Sequence, residues 1–278
     1  MDQLKGKGSI MPELPEVETV RRTLKNFVIG KEIREIEVYY DKIINGDTSV
    51  FINTLKSQTI RDIDRIGKYL IFIFDHDAVI SHLRMEGKYN IADAARPHDK
   101  HEHITFRFSD GTELRYHDTR KFGRLELANR ETYRRELPLS KLGPEPWDAD
   151  TKTVYAKIHK SSLPIKALLL DQGIMAGIGN IYANEICFRM SMNPKTPGKR
   201  VSKKRVEKLI EVSQQILEMA IAQGGTTIHS FDANGITGLF QVQLQVHMQK
   251  VCPVCKEEVV KEMVQGRGTY YCKVCQRR

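Results

Sequence analysis

The sequence predicts an α+β protein in two parts: an N-terminal β-sandwich with a flanking helix, and a C-terminal helical part ending in a cysteine-rich hairpin. Three observations predict it. Short β-branched and aromatic segments follow one another through the first half. Helical periodicity replaces them after the Pro/Gly-rich "LGPEPWD" at 142–148. Four of the five cysteines sit in two Cys-x-x-Cys pairs near the end. The expected parts are a sandwich at 12–141, a hinge at 142–148 and a helical part at 149–278, with the hairpin at 246–278 and residues 1–11 a leader or tag outside the fold.

Each element follows from local pattern. From Glu16 on, Val17, Val20, Leu24, Phe27 and Val28 recur at helical spacing, and Gly30 stands where a left-handed cap belongs, so one amphipathic helix covers about 15–29. The segments "IREIEVYY", "QTIRDIDRI", "KYLIFIFD", "AVISHLRM", "HITFRFSDGTELRYHD" and "GRLELA" read as strands broken by turn residues such as Asp110-Gly111. Beyond the hinge, "TVYAKIHKS", "IKALLLDQ", "NIYANEICFRM" and "SKKRVEKLIEVSQQILEMAIAQ" read as helices. A stretch rich in Gly, Thr, Asn and Asp covers 224–238 before the hairpin.

The 278 residues carry 44 Lys+Arg against 35 Asp+Glu, a formal net charge of +9, with basic runs such as "KRVSKKRVEK" in the last third. This balance points to a polyanionic partner. No run of 18 apolar residues and no signal-like segment occurs, which excludes a spanning helix and predicts a cytoplasmic protein. Cys252, Cys255, Cys272 and Cys275 form two knuckles 16 residues apart, the spacing that brings four thiolates onto one tetrahedral zinc. All four positions are then protein ligands, so the ion is structural. Cys187, in an apolar stretch, reads as a buried thiol.

In this order "PELPEVET", "GKYL", "HLRMEG", "DTRKFG", "LGPEP", "GIGNIYANE" and "RGTYYCKVCQ" closely resemble the bacterial formamidopyrimidine-DNA glycosylases, over essentially Met11 to Arg278. The resemblance implies a monomeric two-domain enzyme with a helix-two-turn-helix and a zinc finger. It implies excision of oxidised purines such as 8-oxoguanine from duplex DNA, and nicking of the abasic site by β,δ-elimination. The chain departs from the family at His247-Met248, where Tyr-Gly is common, and at Lys256, where Gly often follows the knuckle.

The chemistry has its own logic. A Pro12 freed of the residues before it exposes a secondary amine with a reference pKa of about 7.7 to 8.0, partly deprotonated at neutral pH. Its attack on sugar C1′ expels the base and leaves a cationic iminium, an electron sink for eliminating the 3′ and then the 5′ phosphate. Glu13 is the adjacent acid/base for the opening sugar ring, while Glu16 orients the terminus or caps the helix. The resemblance makes Lys68 a phosphate contact and proton shuttle, and Lys166 a contact to the damaged base or its phosphate. It also places His103 and Arg267 against DNA. The glycines of "GIGNIYANE" would let backbone approach a phosphate where Asn180 opens a helix; Asn180 as a plain cap is compatible.

An enzyme acting on a stacked base must extrude it and fill the gap. Met85, Arg120 and Phe122 match the family's wedge, with Met in the vacated stack, Arg toward the orphaned cytosine and Phe prying the opposite strand. The loop at about 228–235 would be the lid over the extruded base. Two function classes remain, a glycosylase/lyase and a zinc-containing DNA-binding protein without chemistry, and a free Pro12 amine separates them. Within the first, endonuclease VIII relatives act on oxidised pyrimidines and lack the Met-Arg-Phe set. Pro12 lies behind "MDQLKGKGSIM", where its nitrogen is an amide and cannot attack. The expectation is that the working protein begins at Pro12.

Overall fold

Helical spacing becomes a buried stripe in the first element. In the computed structural model, which describes residues 11–225 and 244–277, Leu14–Val28 form helix α1. Val17, Val20, Leu24 and Val28 are buried along it. Past its end, the Lys31 amide bonds the Val28 carbonyl around Gly30, whose φ of +81° is the left-handed cap the sequence called for.

The chain divides into two compact units. Val17–Glu136, with Pro12, form the first, whereas Glu13–Glu16 group with the stretch from Leu137 onward in the second. Among the described residues the first unit holds eight strands: β1 (Ile33–Val38), β2 (Asp62–Ile66), β3 (Tyr69–Ile73), β4 (Asp77–His82), β5 (Lys88–Asp93), β6 (Glu102–Phe108), β7 (Thr112–His117) and β8 (Arg124–Asn129). They make two antiparallel four-stranded sheets, β1-β6-β7-β5 and β2-β3-β4-β8. Alternation turns one face of each sheet inward. Ile36, Phe106, Leu114 and Tyr116 of one sheet join Ile63, Leu70, Phe72 and Leu125 of the other, with Val20 and Leu24 of α1, in one apolar cluster. A β-sandwich with a flanking helix is the result.

Two elements here escaped the sequence reading. Helix α2 (Thr48–Leu55), capped by Asp47 accepting the Val50 amide at 2.9 Å, is too short to show a period. Strand β5, "KYNIAD", places Asn90 beside Ile91 and lacks a β-branched run.

The second unit carries α3 (Thr151–His159), α4 (Ile165–Leu170), α5 (Asn180–Arg189) and α6 (Lys203–Ala222), then the hairpin β9 (Val259–Val264) and β10 (Arg267–Cys272). Asp150 and Ser202 cap α3 and α6. Between α4 and α5 the chain makes two successive turns, with Ile174 bonding back to Asp171 and Gln172 bracing the Gly177 amide, which is the helix-two-turn-helix. Among the described residues no helix is long and apolar enough to cross a membrane.

Candidate active site

The site grows from the first turn of α1. Glu16 Oε2 accepts the Glu13 amide at 2.8 Å, the reciprocal bond of a capping box, and Glu16 Oε1 accepts the Tyr182 hydroxyl at 2.6 Å. Glu13, buried, turns its carboxylate onto the N-terminus of α5. Oε2 accepts from Gly179 N at 2.7 Å and Tyr182 N at 3.3 Å, and Oε1 accepts from Ile181 N at 2.7 Å. These are the amides a helix start leaves unpaired, and they favour an anion.

The glycines of "GIGN" make this possible. A Cβ on Gly179 would lie 2.6 Å from both Glu13 Cγ and Oε1. Gly177, at φ +98°, packs against Leu14, whose amide bonds its carbonyl at 3.1 Å. The sequence reading expected a phosphate at these amides; the Glu13 carboxylate occupies them instead. The glycines were expected to admit an anion, and it is Glu13 that they admit; Tyr182, with nothing in its local sequence to mark it, was missed as a site residue.

Lys166 and Asn180 form a brace. The Lys166 ammonium, buried, donates to Asn180 Oδ1 at 2.7 Å, Thr269 Oγ1 at 2.7 Å and Gly268 O at 3.0 Å, while Asn180 Nδ2 donates to Gly268 O at 3.1 Å. Burial first of all pushes the Lys166 amine down to about 8, with nearby Arg267 adding to the fall. Asn180 is the first residue inside α5 and Gly179 its cap, so the side chain is turned to the brace. The braced turn presents Arg267, which is exposed, at the start of β10. Farther along α5, Glu185 accepts the amides of Gln245, Val246 and His247 at 2.8 to 3.1 Å, and Asn184 pairs with His247 at 2.7 Å. These bonds tie the approach to the hairpin onto α5.

The four cysteine sulfurs of the hairpin lie within 4.8 Å of one another, with Cys252–Cys275 at 3.8 Å and Cys255–Cys272 at 3.4 Å. A tetrahedral zinc with bonds of ~2.3 Å needs sulfurs about 3.8 Å apart, so the set fits a metal ion. Met248 and Lys256, where the chain departs from the family's glycines, adopt φ of +60° and +67°.

In the first unit, Lys68 is buried and follows Gly67, at φ +57°, in the turn between β2 and β3. Arg65 holds that turn, donating to Gly67 O and to Glu18 Oε2, each at 3.0 Å. Burial raises the Glu18 carboxyl, but bonds from Arg21, Arg22 and Arg65 outweigh it and hold the group down to about 2. His103 is the extra residue of a bulge in β6, buried, its Nε2 2.7 Å from the Asp118 carbonyl oxygen.

Met85 is half-buried in the turn between β4 and β5, and Arg120 and Phe122 are exposed in the loop between β7 and β8. The Arg120 guanidinium sits 4.7 Å from the Phe122 ring centre. Asp118, fully buried, shapes that loop by accepting the Arg120 and Gly123 amides at 2.9 and 2.8 Å. The proposed lid at 228–235 lies outside the described residues, as do Met1–Ile10.

Comparison with known proteins places these features in context. The family model for the formamidopyrimidine-DNA glycosylase N-terminal domain matches residues 11–125, and that for the H2TH domain of the same enzymes matches 142–232. A formamidopyrimidine-DNA glycosylase of Lactobacillus delbrueckii subsp. bulgaricus is 44% identical over 96% of this chain and its own full length. One from Bacillus cereus is 42% identical over the same shares. A crystal structure of a Lactococcus lactis Fpg variant with DNA containing Fapy-dG superposes with a TM-score of 0.91 at 39% identity, covering 96% of this chain and all of that one. Lactococcus lactis Fpg with abasic-site DNA gives 0.90 at 39% over the same coverage. With its two domains matched in order and its relatives alike from end to end, the chain belongs to the formamidopyrimidine-DNA glycosylase family.

Proposed function

We propose that Pro12, freed of the residues before it, is the nucleophile, and that Glu13 is the proton carrier beside it. The activity they serve is that of a bifunctional glycosylase and AP lyase, removing 8-oxoguanine and formamidopyrimidines from duplex DNA and nicking the strand by β,δ-elimination. One observation carries the residue assignment: the carboxylate next in sequence to Pro12 is buried and fixed by three amides at the N-terminus of α5, that of the cap Gly179 and those of Ile181 and Tyr182. Pro12 nitrogen bonds to C1′ as the C1′–base bond breaks, the base leaving as an anion that water protonates; the Glu13 carboxylate takes the proton that the alkylated nitrogen sheds and passes it to the ring oxygen as the sugar opens to the iminium. The resulting iminium accepts the electrons of the two successive eliminations.

Other side chains bind and orient. Lys68, His103, Asn180 and Arg267 contact phosphates, Asn180 through the amide hydrogen it does not give to Gly268. Lys166 acts on DNA through the turn it braces. Met85 fills the vacated stack, Arg120 meets the orphaned cytosine, and Phe122 pries the opposite strand, a set that favours oxidised purines opposite cytosine. Cys252, Cys255, Cys272 and Cys275 hold one zinc, which cross-links the two knuckles of the hairpin and takes no part in the reaction. The protein works as a cytoplasmic monomer on nucleoid DNA.

Glu13→Gln tests the division of labour. The variant should lose most excision of 8-oxoguanine while retaining much of its nicking at a preformed abasic site, where no base must leave. Equal retention of both activities would remove Glu13 from the mechanism.

A further inference from the structure

Tyr116 lies at the end of β7, two residues before the Asp118 that shapes the Arg120–Phe122 loop. Its side chain is fully buried and tilts against Tyr89, with ring centres 5.1 Å apart. Its hydroxyl lies beside the Asp118 carboxylate, close enough to feel it, but not in good hydrogen-bond geometry with it or with any other described residue. Burial, then the nearby Tyr89 and Asp118, keep the phenol well above its ordinary pKa and therefore neutral. A buried hydroxyl without a partner is costly, so packing must account for its place.

That packing involves two backbones. Gly87 closes the turn that carries Met85, its amide bonding Leu83 O at 2.9 Å, and Gly123 closes the loop that carries Arg120 and Phe122. A Cβ at either glycine would overlap the Tyr116 hydroxyl; at Gly123 it would also lie 2.8 Å from Tyr116 Cζ. Neither glycine has a left-handed φ, so both are needed for space and not for conformation. On the outer side, the Thr119 hydroxyl donates to the Glu86 carboxylate and links the same two segments. The turn and the loop thus share a floor below and a strap above.

We propose that Tyr116 is a positioning residue whose ring and hydroxyl seat both segments at one height, so that Met85 and the Arg120–Phe122 pair enter the duplex as a single body. The proposal rests on the wedge role given to those three residues. Its consequence is a separation of steps: loosening the floor slows extrusion of an intact base and leaves elimination at an abasic site alone.

The experiment uses the active protein and single-turnover kinetics on two duplexes, one with 8-oxoguanine opposite cytosine and one with a preformed abasic site, with a fluorescent base beside the lesion reporting extrusion. Tyr116→Leu should slow extrusion and excision roughly ten- to a hundredfold with nicking unchanged. Tyr116→Phe, which keeps the ring but lacks the oxygen that both glycines rest on, should fall between Tyr116→Leu and the unmodified protein. Gly123→Ala should slow excision similarly, and adding Tyr116→Phe should recover part of it, because the overlapping oxygen is gone. Equal loss on both duplexes, or no loss in Tyr116→Leu and Gly123→Ala, would overturn the proposal, and Tyr116→Phe with Gly123→Ala decides the matter should Tyr116→Leu fail to fold. Met85→Ala and Phe122→Ala form the separate arm. If they leave extrusion unchanged, the wedge assignment itself falls; if they slow it while the Tyr116 and Gly123 variants do not, only the shared floor falls.

Discussion

Gly179→Ala isolates the contact on which the site depends. Gly179 has φ −121° and ψ −161°, a conformation alanine adopts freely, so the change should by itself stabilise the protein by about 0.4–1 kcal/mol. The added methyl would stand 2.6 Å from Glu13 Cγ and Oε1 and drive the carboxylate off the α5 amides. The two short bonds, from Gly179 and Ile181 at 2.7 Å each, involve a charged acceptor and contribute about 1.5–3 kcal/mol apiece. Losing both outweighs the backbone gain, for a net loss of about 2–5 kcal/mol. Displacing the carboxylate should also cost roughly a hundredfold in single-turnover excision. Gly173→Ala is the control, since its Cβ would meet only Asp171 Oδ1 at 3.2 Å and Lys141 O at 3.6 Å. Urea unfolding and excision of 8-oxoguanine measure both effects. A Gly179→Ala protein as active and as stable as the control would refute the cradle as the organiser of Glu13.

Three further outcomes follow from the geometry. Cys272→Ser should lower bound zinc well below one per chain and abolish DNA binding while the first unit stays folded, as read by metal analysis and limited proteolysis; full metal content would count against the four-sulfur site. Burial, then Arg84 and Lys68, press His82 from 6.5 down to about 3, so between those values the unfolded chain takes up a proton that the folded one refuses, and stability falls as pH drops through that window. Glu18, held near 2 against 4.5, adds a loss between 4.5 and 2; His82→Gln should flatten the upper part of the acid-unfolding curve, and an unchanged curve would contradict this. Met248→Gly and Lys256→Gly should each relieve about 1 kcal/mol of left-handed strain and raise the unfolding midpoint, whereas a lower midpoint would show that the native side chains contribute more than the strain costs.

Much of the fold was legible because it rests on local pattern. The stripe from Val17 to Val28, the alternating strands, the capped helices and the cysteine knuckles each carry their signal within a few residues. Pairings between distant segments were not, since the β1–β6 and β4–β8 registers leave no mark on either strand alone. The site divides the same way. Glu13 stands out in the sequence by its place beside Pro12, but its seat on the start of α5, more than 160 residues away, leaves no local mark. Lys166, which the resemblance placed against the damaged base or its phosphate, carries no local sign of burial in "IKALLL", and only the return of Gly268 and Thr269 makes it a buried brace. The bulge that buries His103 is likewise visible only once β6 meets β7.

The proposed nucleophile is the amine of Pro12. Protein that begins at Pro12 should be captured as a covalent adduct when mixed with abasic-site DNA and borohydride, with peptide mass spectrometry placing the adduct on Pro12. The 278-residue form, its Met1 terminus confirmed by mass, should bind the same DNA without being captured, because its Pro12 nitrogen is an amide. Efficient capture of that longer form, with the adduct on Lys68 or another lysine, would take the role of nucleophile away from Pro12.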